Sequence, residues 1–151
     1  MGYLMSKKNN LLPAQTAAIA GLFWPGRAKW KLPKIMKLGG WAAVIAGGAI
    51  AVSGALEQGE QLTSATTPVK HAKLLTAGPY SSSRHPIYVG LLTGASGFAL
   101  LRRRVEPLIA VGALANILHK KADLEEQALD RRFGKRYRKY AKRTPRMFGS
   151  L

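Results

Sequence analysis

Tyr80, Arg84, His85 and Tyr88 fall inside one stretch, residues 78–88, reading Gly-Pro-Tyr-Ser-Ser-Ser-Arg-His-Pro-Ile-Tyr. A second polar group, Lys121 with the adjacent pair Glu125 and Glu126, stands far downstream. Histidine titrates near neutrality, carboxylates accept bonds from ammonium and hydroxyl groups, and tyrosine ring faces attract cations. The local pattern positions these groups. Gly78-Pro79 is a turn signal, the serines at 81–83 offer loop hydrogen bonds, and Pro86 suits the first position of a helix. No charged residue lies between Pro86 and Leu101. A loop carrying Tyr, Arg and His therefore runs directly into an apolar helix, which puts reactive side chains at the mouth of a membrane segment.

The elements around that loop follow from composition. The 151 residues make one domain, 1–151, with no room for a second of ordinary size. Lys and Arg number 24 against 7 Asp and Glu, a formal charge of +17, while 47% of residues are hydrophobic. Such a charge suits nucleic acid or an anionic membrane surface. Here the basic residues flank long uncharged runs rather than decorate a soluble fold, so the reading is membrane lipid and no nucleic acid. Cysteine is absent, which excludes disulfides and thiolate chemistry. His71, His85 and His119 are too scattered for a protein-built metal site.

In chain order, residues 9–26 are uncharged but broken by Pro13 and Pro25, shorter than the ~20 residues a bilayer helix needs. A charged start before an apolar run also has the form of a signal peptide, with Ala18-Ile19-Ala20 as a cleavage pattern. Nothing downstream resembles a secreted domain, so the expectation is a tilted segment, a re-entrant one or a retained anchor. Residues 27–37 form a basic linker with Trp24 and Trp30 at interfacial positions. Residues 38–56 are the clearest membrane helix, rich in glycine and alanine that let helix backbones approach. Residues 57–83 read as a polar loop with at most a short helix.

Residues 86–101 and 107–119 are two further apolar runs joined across Arg102-Arg103-Arg104, predicting an antiparallel helical hairpin whose second helix continues towards Arg132. The tail, 120–151, has Leu124, Ala128, Leu129, Phe133, Tyr137 and Tyr140 at helical spacing among Lys and Arg, an amphipathic surface helix interrupted at Gly134. The expected fold is all-α, an integral membrane protein of three or four spanning segments. Fourteen basic residues lie in 57–84 and the tail against eight on the opposite side, which places the tail in the cytoplasm.

Three blocks now stand in order around the hairpin. Leu75-Thr76-x-Gly78-Pro79-Tyr80 is followed by Arg84-His85-Pro86-x-Tyr88-x-Gly90, then by Glu125-Glu126-x-x-Leu129-x-x-x-Phe133-Gly134-x-x-Tyr137-x-x-Tyr140. Taken singly, these are a turn with an interfacial Tyr, a helix start with a snorkelling Arg, and a solvated helix face. Together, over residues 72–146, they resemble the isoprenylcysteine carboxyl methyltransferase and phospholipid methyltransferase superfamily.

The resemblance implies an S-adenosylmethionine-dependent membrane methyltransferase with a cytosol-facing cofactor pocket and an acceptor entering from the bilayer, either lipid-like or prenylated. Carried over by motif, the cofactor side comprises Leu74, Leu75, Tyr80, His85, Pro86, Ile87, Tyr88 and Glu125. Lys121 and Glu126 are the catalytic candidates, on the acceptor side. Lys121 stands where carboxyl methyltransferases of this group carry an arginine, keeping the charge but losing the planar two-point grip on a carboxylate. An amine acceptor would need a base, for which His85 and Glu126 are the candidates. The rival readings are a non-enzymatic basic membrane protein that binds anionic lipid or partner helices, and a nicotinamide-dependent lipid reductase, for which there is no Gly-rich dinucleotide fingerprint.

Overall fold

The computed structural model describes residues 11–26, 29–59 and 73–149. Five α-helices are present among them: α1 (Leu11–Gly21), α2 (Lys34–Gln58), α3 (Pro86–Arg102), α4 (Val105–Phe133) and α5 (Lys135–Ala141). A 3-10 turn, Gly78–Ser81, precedes α3. The described residues contain no strand, so the all-α expectation holds. Residues 60–72 of the loop expected at 57–83, and Arg27 of the basic linker, lie outside the described residues.

The hairpin forms as the apolar runs require. Pro86 opens α3, and Arg103, in the left-handed conformation at φ 57°, ends it before α4 begins two residues later. From there α4 runs unbroken to Phe133, where Gly134 at φ 52° interrupts it before α5, at the position the tail pattern indicates. Leu114 and Leu118 on α4 are almost wholly buried, packed with Tyr88, Leu92 and Ala95 of α3, Ala18 of α1 and Leu22 just beyond it.

Two differences from the sequence reading have clear causes. Lys34 and Lys37 belong to α2 rather than to a linker, because nothing after Pro33 breaks the helix. The run 9–26 provides only the 11-residue α1, about 16 Å at 1.5 Å per residue. Beyond Gly21 the chain tightens through Leu22 N–H to Ile19 O at 3.1 Å and Phe23 N–H to Ala20 O at 3.0 Å. Arg102 then donates to the carbonyls of Phe23 and Trp24, at 3.2 and 3.1 Å, and Arg104 donates to that of Pro25. Two members of the arginine run, in sequence a topology signal, thus hold the carbonyls of the stretch that follows α1. Gln15 near the start of α1 reaches Lys121 and Gly21 packs on Ala110, so α1 lies antiparallel to α4.

Helix α2 packs antiparallel on α3 through glycines spaced seven apart. Gly40, Gly47 and Gly54 are its buried residues. They oppose Gly97 and Leu101, Gly90 and Gly94, and Pro86 and Ile87 respectively. A repeat of seven keeps one face of a helix against its neighbour. A Cβ on Gly47 would sit 2.6 Å from Gly90 O, and one on Gly97 2.5 Å from Gly40 O. The backbones touch. The opposite face of α2 exposes Ile35, Leu38, Trp41, Ile45, Val52 and Leu56. Among the described residues α2 is the one helix long and apolar enough to cross a membrane by itself.

This packing predicts a sharp asymmetry between neighbouring positions. Gly47→Leu should lower the unfolding midpoint in detergent by the equivalent of at least about 3 kcal/mol, the upper range for overpacking a close contact. Gly48→Leu, with nothing within 4 Å of its Cβ position, should leave the midpoint nearly unchanged. Equal effects would refute the packing.

Candidate functional site

The hairpin aligns the loop before α3 with the middle of α4, because α3 and the first half of α4 are nearly equal in length. His85, 7% exposed, fills the junction. Its Nε2 lies 3.0 Å from Glu126 Oε1 and its Nδ1 3.4 Å from Glu125 Oε2. Burial alone would push the imidazole pKa down, but its hydrogen bonds to Glu125 and Glu126 and their charges outweigh that and raise it above the ordinary 6.5. Both ring nitrogens face carboxylates, as suits the doubly protonated ring. Neither is left for a further partner.

Glu126 binds two cations besides His85. Arg84 Nη1 is 3.3 Å from Oε2 and Arg146 Nε 3.1 Å from Oε1. Burial would raise its pKa, yet the bond to His85 and the charges of His85, Arg84 and Arg146 hold it below the usual carboxylate range. Arg146 also binds Asp123 at 2.5 Å. Glu125 is differently placed. It accepts a 2.5 Å bond from Tyr88 O–H, and its side chain is 23% exposed. The Tyr88 ring stacks on His85, with planes 3° apart and centroids 5.3 Å apart.

Lys121 is buried, 6% exposed, with its Nζ 3.3 Å from Gln15 Oε1 and 5.6 Å from the centre of the Tyr88 ring. No carboxylate among the described residues lies within ion-pair distance of it. Tyr80, on the 3-10 turn, donates to Gln58 Oε1 at 3.2 Å, tying the turn to the end of α2. Its phenol is pushed up to about 12 by burial and then by the charges of Glu125 and Glu57. Leu74 and Leu75 are half-buried in the irregular stretch before the turn. Pro86 and Ile87 face Gly54 of α2, so they hold α3 against α2 and contribute no polar atom to the cluster.

Thus His85, Tyr88, Lys121, Glu125 and Glu126 come together, and Tyr80 lies close enough to feel Glu125. Sequence reasoning missed Gln15, Glu57, Asp123 and Arg146 as members of this cluster. Arg146 sits in the irregular tail, where no periodicity marks it. The tail straps the loop: Tyr140 O–H donates to Tyr80 O at 2.6 Å, Arg84 N–H to Pro145 O at 2.9 Å, and Ser83 Oγ–H to Arg146 O at 3.0 Å.

The network sets a pH window. His85, raised on folding, stabilises the protein fully below its unfolded value of 6.5, and that contribution disappears as pH rises through the higher folded value. Glu126, lowered on folding, stabilises fully above its unfolded 4.5 and loses the contribution as pH falls through the lower folded value. Both contributions are complete between 4.5 and 6.5. The unfolding midpoint measured against pH should therefore decline on the alkaline side of that window, and His85→Gln should flatten that decline. An unchanged profile in the variant would show that His85 is not the titrating group.

Comparison with known proteins agrees with this layout. Residues 35–136, more than half of the chain and everything from α2 to the start of α5, match the phospholipid methyltransferase family. A nickel-cobalt-cadmium resistance protein, NccN, of Alcaligenes xylosoxydans xylosoxydans is 38% identical over 84 residues, 54% of this chain. The chain spans only 38% of the length of that relative. With the match running through the glycine-packed helix pair, the His85 loop and the paired glutamates, the chain belongs to the phospholipid methyltransferase family, within the isoprenylcysteine carboxyl methyltransferase-like superfamily.

Proposed function

We propose that this protein is an S-adenosylmethionine-dependent membrane methyltransferase whose acceptor is a lipid-like molecule, with residues 72–146 forming the cofactor-binding region. The single observation carrying this reading is the meeting of Tyr88 and His85 with Glu125 and Glu126 across the hairpin. When bound, the cofactor supplies a sulfonium methyl group for in-line displacement, a step that calls for alignment and exclusion of water.

The donor set fits a cationic cofactor. In a chain of net charge +17, Tyr80 lies in the field of two carboxylates, Glu57 and Glu125. Glu125 uses part of its acceptor capacity on Tyr88 and His85, and the remainder suits an ammonium or ribose hydroxyl. Tyr80 and Tyr88 offer ring faces to positive charge. His85 orients Glu125 rather than binding directly, since both its nitrogens are engaged. Leu74 and Leu75 supply apolar wall, and Pro86 and Ile87 fix the start of α3 against α2. Glu126, surrounded by Arg84, His85 and Arg146, anchors the loop and is a poor proton acceptor.

Lys121 is the acceptor-side group. Its buried ammonium has no carboxylate within ion-pair distance among the described residues, and an anionic group of a lipid headgroup would complete it. A single point charge suits a phosphate better than it replaces a two-point clamp on a carboxylate, which favours a phospholipid-like acceptor over a prenylated cysteine. In the membrane, α2 at about 37 Å spans the ~30 Å hydrocarbon core. The hairpin and residues 11–26 lie alongside it, with the loop, the paired glutamates and α5 at the cytoplasmic face.

The direct test is transfer of labelled methyl from S-adenosylmethionine into membrane lipid and peptide extracts, with label expected in the lipid fraction. S-adenosylhomocysteine should raise the unfolding midpoint of the detergent-purified protein, and Glu125→Ala should reduce its affinity at least about tenfold, the loss of one charge-assisted bond. No stabilisation of the wild-type protein by S-adenosylhomocysteine would overturn the assignment. Lys121→Ala should raise KM for the acceptor while leaving the cofactor affinity unchanged.

A further inference from the structure

The outer surface of the tail has a use that the site does not absorb. Lys135, Arg136, Lys139, Lys142 and Arg143 are all exposed, and none has a carboxylate within ion-pair distance among the described residues. At 100° per residue they occupy an arc of about 120° along α5 and its final turn, where Lys142 is still helical. Outside that arc lie Tyr137, 5% exposed, on the far side of the helix, and Tyr140 at its flank, whose hydroxyl donates to Tyr80 O at 2.6 Å. One face of α5 is thus unpaired cation, and the other is bolted to the turn that carries Tyr80.

We propose that the cationic arc of α5 docks on anionic lipid headgroups, and that this docking tightens the tail strap over the 78–85 loop, so that anionic lipid orders the site. The occupant is a bilayer surface because α5 follows directly on α4, the helix that leaves the apolar hairpin, after the one-residue break at Gly134. Clustered basic residues at that level are drawn to anionic headgroups within a Debye length. Transmission needs no new contact. Tyr140 to Tyr80, Pro145 to Arg84 and Arg146 to Ser83 already join the tail to the loop. Immobilising α5 removes freedom from the strap and hence from the loop it holds.

Hydrogen exchange of residues 78–88 tests this without assuming methyl transfer. The full chain would be placed in nanodiscs of pure phosphatidylcholine or of phosphatidylcholine with phosphatidylglycerol. Exchange in the loop should be slower by about fivefold or more in the anionic discs at low salt, and the difference should fade as salt screens the charges. Replacing Arg136, Lys139, Lys142 and Arg143 together by Gln should abolish the difference. Tyr140→Phe should keep protection of α5 but weaken that of the loop. Equal exchange in both discs for the wild-type chain would overturn the proposal. So would a DNA duplex added to phosphatidylcholine discs producing the same protection, which would mark the arc as a nucleic-acid surface.

Discussion

An imidazole held between two adjacent carboxylates, which raise its pKa, is the constraint on which the rest of the site depends. His85 comes from the loop before α3, and Glu125 and Glu126 from the middle of α4. Removing His85 would leave Glu125 with no cation partner among the described residues, a costly loss at a largely buried site, while Glu126 would keep Arg84 and Arg146. The contact is therefore sensitive to register. It requires α3 and the first half of α4 to be matched in length, and it fails if the turn at Arg103 shifts the hairpin by one residue. The chain has seven acidic residues in all, and four of them stand between 123 and 130. Acid is scarce in this protein and concentrated at this junction.

Around that junction the helices act as two clamps at opposite ends. At the site end, Gly54 admits Pro86 and Ile87 against α2, and Tyr80 reaches Gln58, so the loop is held to α2 as well as to α4. At the far end, Arg102 and Arg104 hold the chain after α1 by its carbonyls, while Trp30 N–H donates to Arg103 O at 3.2 Å. Helix α1 is too short to be an independent element in a bilayer, and these bonds make it part of the hairpin. Through α1, the N-terminal part of the chain supplies Gln15 to Lys121.

Much of this was legible from residue order, and the division between legible and hidden has a physical basis. Apolar runs ended by charge, Pro86 as a helix start and Gly134 as a break are local signals, and α3, α4 and α5 follow them. The three-block pattern indicated that 80–88 and 121–126 belong together, and they meet. What local pattern does not encode is direction. The sequence reading offered His85 as a donor to the cofactor or as a base, whereas the carboxylates occupy both its nitrogens. It took the arginine run as a topology signal, and the side chains of Arg102 and Arg104 turn back onto residues 23–25, just after α1. Asp123 and Arg146 pair with each other and, through Arg146, with Glu126. Such pairing between a helix and an irregular tail has no periodicity to announce it. The spacing of Gly40, Gly47 and Gly54 was visible as small-residue content, but its exact partnering with α3 needs three dimensions.

The two glutamates, adjacent in sequence, end up with opposite tasks, and this follows from which side of the imidazole each occupies. Glu126 faces the tail and collects Arg84 and Arg146 in addition to His85, so its charge is more than balanced. Glu125 faces Tyr88 and the turn, where Glu57 adds to the negative field felt at Tyr80. The His85 ring thus divides a carboxylate pair into a neutralised anchor and a partly unspent acceptor beside aromatic rings. That division leaves a strongly basic chain with open carboxylate acceptor capacity at Glu125. The strap from the tail supplies the balancing positive charge from behind, so strengthening the anchor does not diminish the acceptor.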